Sequence, residues 1–596
     1  MRAVDAIAEW FDRAGITHYF GYAGGAVWPL LDALVDYPHI EGIQAKHEAH
    51  AVHMADIYYR TTGRIAPVIV SKGPGLLNAV GGVASAIHDT AALLVIAGGG
   101  STHVLGKGGM QEMYYKGFED ATSVFRPVTK GAWMAVRPDT VIDVVNTAYR
   151  TAVNGRPGPV FVQLPFDVQM GAVEGEVEAP SRRVVSSRLR GDRQSMEAVV
   201  ELLRGSARPV LLAGGGAARS AGGPAAFRAL VERLQVPFAT TLTAKGIVSE
   251  RHPLSLGPVG RSGTDSAAEA TRAADLVIAV GARFSDNHTA NWRNGLVYDV
   301  PKTRIVHVDI DAGELGRNYP ADVAVVADAA TFLTDLAEFA DADGLKPSWD
   351  PWVTQVTERH REWVASTAAV TQAPTDPIHP GRLVHEVGEA LGDTGRVFID
   401  VGDVIQYAEP YMTITQPDAW HINAGMAEMG WASSGVLGAL VADRDRPAIA
   451  VTGDGAFNMV SNVLASAVEY DLPAIWVILD NNELGIERKG ADRAFTRSHP
   501  WYSFVRKDTG EAYNPDYVAL AEAHGALGER IERAADLAPA LARALASGRP
   551  YVLDVVIDTT VPTYFTAGID RAYPHDWGRS YPMHSGLRIA SQSEPA

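Results

Sequence analysis

The segment VTGDGAFNMVSNVLASAVEYDLPAIWVILDNNELG, residues 451–485, decides how the chain folds. An apolar run ends at Asp454, an alanine-containing helical stretch follows from Asn458 to about Tyr470, and a second apolar run ends at Asn481. A right-handed strand–helix–strand crossover brings the chain back to the same edge of one parallel sheet. Asp454 and Asn481 then come out at the carboxyl ends of adjacent strands, the edge where ligands bind in such sheets. One carboxylate, one amide oxygen and a nearby backbone carbonyl make a hard-oxygen set suited to Mg2+, with positions left for phosphate oxygens and water. Gly453 and Gly455 let the backbone approach those oxygens, and the next helix offers its positive end. Alone, GDG or DNN reads as a turn closing a strand. Together, at this interval, they read as a metal and phosphate site.

The same rhythm of short apolar runs, glycine clusters and helical stretches extends over the chain, which predicts an α/β protein of doubly wound parallel sheets. A first section contains HYFGYAG (18–24), APVIVSKGPG (66–75) and LLVIAGGG (93–100), with helices over Glu48–Thr62 and Gly75–His88. A second contains RPVLLAGGGAARS (208–220), VPFATTL (236–242), ADLVIAVGARFSD (274–286) and RIVHVDIDA (304–312). The third contains GRVFIDVGD (395–403), the 451–485 unit and YVLDVVID (551–558). The expected domains are 1–173, 194–342 and 378–558. Polar residues 174–193 form one linker, and proline-rich residues 343–380, with a helical middle, form another. Residues 559–596 form a tail whose Tyr564, Phe565, Tyr573, Trp577 and Tyr581 argue for packing rather than disorder.

Composition agrees. At roughly 150 residues per domain, 596 residues mean three or four domains. With 47 % hydrophobic and 20 % charged residues, the chain has the make-up of a globular protein. It has 0 cysteines, which excludes disulfides, thiolate metal sites and a cysteine nucleophile, and fits a cytoplasmic location. The net charge of −18 opposes nucleic acid and anionic membrane as partners. The most apolar runs fall short of the roughly 20 residues that span a bilayer. The first residues read as an amphipathic helix with Val4, Ile7, Ala8 and Phe11 on one face, not as a signal peptide.

The 451–485 segment resembles the diphosphate and metal motif of thiamin diphosphate enzymes. From roughly Ile7 to Asp558 the chain is similar to the acetolactate synthase family. The resemblance implies pyrimidine-binding, central FAD-type and diphosphate-binding domains in that order. Asp454 and Asn481 would ligate Mg2+ through their side chains and Glu483 through its backbone oxygen. Glu48, in IQAKHEAHAVHMADIYYRTTG (43–63), would be the carboxylate that activates the cofactor's aminopyrimidine ring. Without the metal motif it would read as a solvated residue of a first helical turn. His47, His50 and His53 on the same helix read as polar surface and are assigned no metal. The likeness further implies cofactor contacts at Gly25, Pro74, Asn78, Gly402, Met429, Gly453, Gly455, Ala456 and Ile486. Gln111 and Lys130 match active-site positions. In the family the activator and the metal meet across a subunit interface, which implies a homodimer or homotetramer.

RPVLLAGGGAARS lacks the GxGxxG spacing of a dinucleotide fingerprint, so a nicotinamide dehydrogenase is disfavoured. The middle section is instead similar to the family's FAD domain. Gly215, Thr241, Leu242, Gly281, Arg283, Asp309 and Asp328 are the implied contacts. ADP in place of FAD, or a vestigial site, are the alternatives.

Five positions depart from the synthase pattern. Asn287 stands where an arginine grips the acceptor's carboxylate, and an amide cannot make that bidentate clamp. Gly490 replaces a tryptophan wall, which together with Asn287 points to a bulkier acceptor. Asp403 stands among diphosphate donors, where phosphate repels it unless it turns away or pairs with a cation. Met110 and Ala23 replace a phenylalanine and a proline. The expected activity is decarboxylation of a 2-keto acid such as pyruvate and transfer of the acyl unit to a second carbonyl. A hydrolase or lyase of a dione or 2-hydroxyacyl substrate, a flavin-dependent oxidase and an inactive partner subunit are the alternatives.

Overall fold

In the computed structural model, residues 1–113, 121–180, 184–185, 187–346, 349–494 and 499–566 are described. They build three six-stranded parallel sheets with helices on both faces. The first sheet contains β1 (His18–Tyr22), β2 (Glu41–Gln44), β3 (Val68–Val70), β4 (Leu94–Gly99), β5 (Ala132–Met134) and β6 (Val160–Pro165), in the order β2-β1-β3-β4-β6-β5. The second contains β7 (Pro209–Ala213), β8 (Phe238–Thr240), β9 (Ser255–Pro258), β10 (Leu276–Val280), β11 (Arg304–Asp309) and β12 (Val323–Val326), in the order β12-β11-β10-β7-β8-β9. The third contains β13 (Arg396–Ile399), β14 (Trp420–Ile422), β15 (Ala448–Gly453), β16 (Ile475–Asp480), β17 (Leu527–Ile531) and β18 (Tyr551–Val556), in the order β14-β13-β15-β16-β18-β17. Central strands such as Val95–Ala97 and Ile475–Leu479 are apolar and buried on both faces, which explains why they read as continuous hydrophobic runs.

The first and third sheets share one topology, with the strand order reversing between β1 and β3 and between β13 and β15. The second has the order of doubly wound dinucleotide folds, reversing between β7 and β10. In each, the reversal opens a crevice beyond the strand ends, and the candidate sites lie there.

The crossover that opened the sequence reading forms between β15 and β16, which pair in parallel. Its helix starts at Asp454 itself, not at Asn458, and breaks at Ser461–Asn462 into Asp454–Val460 and Val463–Glu469. The helical middle of the second linker is Asp350–Ser366. It belongs to the middle domain's core, with Trp349 donating to the Ser206 carbonyl and Trp352 to that of Pro209.

The first and third domains share a core. Helix Glu48–Thr62 lies against helix Trp431–Ala442, closely enough that a Cβ on Gly438 would stand 2.0 Å from the Met54 carbonyl oxygen. This corrects the reading of the histidines. His50 and His53 are 3 % and 2 % exposed, sandwiched between domains rather than on the surface. His53 Nδ1 lies 2.7 Å from Ser434 Oγ and its Nε2 3.1 Å from Glu428. Among the described residues no helix is long and apolar enough to cross a membrane.

Candidate active site

At the third sheet's edge, Asp454 is 1 % exposed. Its Oδ1 accepts from the Gly455 amide at 2.7 Å. Its Oδ2 accepts from the amides of Asn481 (3.1 Å) and Asn482 (2.6 Å) and from Asn514 Nδ2 (2.8 Å). Burial, with Asp480 nearby, pushes this carboxyl up to about 7. A cation placed against it would hold it ionised. Asn481 follows β16, and its Oδ1 accepts from the Glu483 amide at 3.1 Å. The Glu483 carboxylate is taken by Arg488, which leaves the backbone oxygen as the group it could offer an ion.

The surroundings are shaped for close approach. Nothing lies within 4 Å of a Cβ built on Gly453 or on Gly402, and Gly402 holds a φ of +126° that favours glycine. A Cβ on Gly455 would meet Leu484 at 2.8 Å and Met429 Cε at 3.6 Å, so Met429 stands over this glycine. Ala456 is buried beside it, and Ile486 is half-buried on helix Gly485–Ala494. Two organising residues were missed from sequence. Buried Asp400 accepts from the Gly430 amide (2.8 Å), Ser433 (3.0 Å) and Thr452 (3.1 Å), fixing the Gly402 loop against Met429 and β15. Asn514 donates to both Asp454 and Asp480. Asp400 ends a strand, the one signal that could have found it. Asn514 has no motif around it.

At the first sheet's edge, Glu48 opens its helix, with the His47 side chain accepting from the Ala49 amide. The buried Glu48 carboxylate accepts from Asn78 Nδ2 at 2.9 Å, and a Cβ on Gly75 would lie 3.1 Å from Glu48 Oε1. Pro74 and Asn78 belong to the short helix beneath it. A Cβ on Gly24 would be 2.6 Å from Ser71, and one on Gly25 3.7 Å from Trp28, so the loops after β1 and β3 meet. Gly73, at φ +62°, passes under Gln111, whose carbonyl oxygen would stand 2.6 Å from a Cβ there. Lys130 is placed differently. Its ammonium donates to the carbonyls of Asn154 (2.8 Å) and Arg156 (2.7 Å), an anchoring role, and no contact described for it reaches Glu48 or Gln111.

Family models described as "Thiamine pyrophosphate enzyme" match the chain three times: the N-terminal TPP binding domain at residues 1–120, the central domain at 196–336 and the C-terminal TPP binding domain at 400–555. The chain is 32 % identical over 571 residues to the probable acetolactate synthase large subunit of Methanocaldococcus jannaschii, covering 94 % of this chain and 92 % of that protein. The chain belongs to the thiamine pyrophosphate enzymes. It is also 30 % identical to the acetolactate synthase isozyme 3 large subunit of Escherichia coli, over 94 % of both chains. The mitochondrial acetolactate synthase catalytic subunit of Saccharomyces cerevisiae is 29 % identical, over 93 % of this chain and 80 % of its own.

In this thiamine pyrophosphate enzyme the middle domain borders a cleft of about 650 Å3 that also takes in His88–Thr90 of the first domain and Gly425 of the third. Gly215, Thr241, Gly281, Arg283, Asp309 and Asp328 line it. The loops after β7 and β10 cross closely, the Gly216 amide donating to the Gly281 carbonyl at 3.0 Å. Arg60, Arg156, Arg219 and Arg283 line the cleft together with Asp89, Asp286 and Glu314, and Arg60 is paired with Asp89 and Arg156 with Glu314. Asp309 is raised by burial. Asp328 caps the helix Ala329–Ala342, accepting from Thr331, and also accepts from Ser220 at 2.9 Å. Leu242 is not on the cleft's wall. It is buried in the third domain's core, its amide donating to His288 and its carbonyl accepting from Trp420.

The departures also have places. The Asn287 carbonyl accepts from the Arg261 amide, while its buried Oδ1 has no protein partner. Gly490 is exposed, with open space where a side chain would stand. Ala23 lies in the loop after β1, and Met110, beside Gln111, is 83 % exposed. Asp403 does pair with a cation, accepting from Lys489 Nζ at 2.6 Å. The tail begins by packing: Thr563 donates to Asp403, Tyr564 to the Gly263 carbonyl and Thr566 to that of Gly260. Tyr573, Trp577 and Tyr581 lie outside the described residues.

Proposed function

We propose that this enzyme is a thiamin diphosphate- and Mg2+-dependent carboligase that decarboxylates a 2-keto acid such as pyruvate and transfers the acyl unit to a second carbonyl compound, bulkier than the acceptors of acetolactate synthases. The observation that carries the reading is the buried Asp454 carboxylate at the β15 edge, raised to about 7 by burial and set beside Asn481 among open glycine backbone. That donor set fits a hard cation bridging to phosphate. Asp454, Asn481 and the Glu483 carbonyl would hold Mg2+, Gly402 and Gly453 would face the phosphates, and Met429 would support the cofactor's bend. Bound there, thiamin diphosphate supplies an acyl-anion equivalent, chemistry that the side chains of this protein lack. Glu48, buried and hydrogen-bonded to Asn78, would exchange a proton with the aminopyrimidine.

Within one chain the described hydrogen bonds of Glu48 and of Asp454 stay in their own domains. Trp28, Leu77 and Met110 beside the first set, and Met426, Met459 and Trp501 near the second, are exposed apolar residues that suit burial by another copy. We read the catalytic unit as at least a homodimer in which one chain's Glu48 set meets a second copy's Asp454 set. The cleft between the domains, where Arg219 and Arg283 stand beside the crossing glycine loops, supports a nucleotide diphosphate there, FAD before ADP. The absence of cysteine suits a cytoplasmic enzyme.

The open position at Gly490 and the unpartnered Asn287 Oδ1 also support a second reading, cleavage of a dione or 2-hydroxyacyl substrate by the same cofactor. Nuclear magnetic resonance of products formed from pyruvate with aldehyde, ketone and 2-keto acid acceptors separates the two. Acyloin or acetolactate-type products are expected. Net cleavage of a dione with no ligation from any acceptor would contradict the carboligase reading.

A further inference from the structure

Asp403 is a carboxylate in an awkward place. It opens helix Asp403–Tyr411 directly after Gly402, and it is buried. A Cβ built on Gly485 would stand 2.9 Å from Asn481 Nδ2 and 3.0 Å from Asp403 Oδ2, so the carboxylate lies within one residue's width of the expected metal ligand. An anion there opposes a diphosphate unless another charge balances it. The balancing charge is Lys489. Its Nζ donates to Asp403 Oδ2 at 2.6 Å and to Tyr407 OH at 3.1 Å, and its side chain is 13 % exposed. Lys489 follows Ile486 by three positions on helix Gly485–Ala494, so the two share a face, and Gly490 beside it leaves space open. The other Asp403 oxygen is satisfied by Thr563 at 2.9 Å, which holds the carboxylate so that it does not rotate away.

We propose that Lys489 and Asp403 are a charge-compensating pair at the phosphate end of the cofactor site, Asp403 positioning the Lys489 ammonium and that ammonium offering its remaining donor to the diphosphate. Lys489 is thus a cofactor-binding residue, and Asp403 a positioning one. The inference rests on the thiamin diphosphate reading above. With its three N–H donors Lys489 can serve Asp403, Tyr407 and one phosphate oxygen at once.

The test is calorimetric titration of the full chain with thiamin diphosphate, and separately with inorganic pyrophosphate, each with Mg2+. The proteins compared are the natural protein, Lys489→Gln, Lys489→Arg, Asp403→Asn and the double variant Asp403→Asn/Lys489→Gln, with thermal unfolding as a check of folding. Lys489→Gln is expected to weaken both probes about 10-fold or more, since it leaves a buried carboxylate facing phosphate. Lys489→Arg keeps the charge and retains most of the affinity. Asp403→Asn binds as tightly as the natural protein or tighter, and the double variant recovers most of what Lys489→Gln loses. Should Lys489→Gln not fold, Lys489→Arg and the double variant read the same charge balance. Unchanged binding by Lys489→Gln, a double variant that binds no tighter than Lys489→Gln, or loss of binding by Asp403→Asn would overturn the pair. A natural protein that binds pyrophosphate but not thiamin diphosphate would instead overturn the cofactor reading, and the pair with it.

Discussion

Trp431, the first residue of the third domain's helix Trp431–Ala442, donates its indole N–H to Asp56 of the first domain at 2.8 Å, and both are buried. Arg60 completes the contact, lying 4.7 Å from the Trp431 ring and pairing with Asp56 and Asp89. Asp56→Ala removes a partner of a buried guanidinium, so a loss of about 3–5 kcal/mol is expected. Trp431→Phe keeps most of the ring but leaves Asp56 short of a donor, at about 1–3 kcal/mol. Chemical unfolding read by tryptophan fluorescence checks both. Two variants as stable as the natural protein would show that this contact does not hold the domains together.

Gly438 sets the distance between the same two helices. Any side chain there would drive into the Met54 carbonyl, which is backbone and cannot step aside. Gly438→Val is expected to cost about 1–3 kcal/mol or more, as overpacking does. It should also lower cofactor affinity, because both candidate half-sites ride on these domains. Thermal unfolding and thiamin diphosphate binding measure the two effects.

Glu48→Gln removes the ionisable oxygen while preserving shape and the contact with Asn78. Turnover should fall about 100-fold or more, the range expected for losing a positioned general acid–base group, while thiamin diphosphate still binds. Steady-state kinetics beside calorimetry gives both readings. Full activity in this variant would remove Glu48 from its assigned role.

Glu409 gives the protein a pH dependence of stability. Buried on helix Asp403–Tyr411, it accepts from Ser262 Oγ at 2.5 Å, and burial pushes its carboxyl up to about 7 against the pull of Lys245 and Arg261. The folded form therefore keeps a proton that the unfolded chain loses above its ordinary value of 4.5. Glu409's contribution to stability then falls as pH rises from about 4.5 to 7, by on the order of 1–3 kcal/mol. Glu409→Gln is always neutral, so its unfolding midpoint should vary less with pH over that window. Identical slopes for the two proteins would contradict this.

The fold was legible because each sheet is parallel and buried, so strands such as Leu94–Gly99 and Ile475–Asp480 appear as uninterrupted apolar runs ending in glycine or in Asp and Asn. Asp454 and Asn481 were readable for the same reason, since one crossover fixes which strand ends become neighbours. What depends on distant pairing was not readable. Nothing near Asp403 in sequence points to Lys489, which arrives on another element. His50 and His53 look like surface residues on their own helix, because helical periodicity carries no sign of a second domain covering the opposite face. Lys130 and Leu242 sit at positions marked by resemblance, yet backbone carbonyls hold the first and a core holds the second. The middle domain reverses the lesson: it has the dinucleotide strand order without the glycine spacing that usually announces it.

The account turns on a cation at Asp454 that ties thiamin diphosphate to the chain. Calorimetric titration of thiamin diphosphate into the natural protein with Mg2+, into the same protein with a chelator, and into Asp454→Ala with Mg2+ tests it directly. Saturable binding of one cofactor per chain is expected in the first titration only. Equal binding in all three, or none in the first, would contradict it.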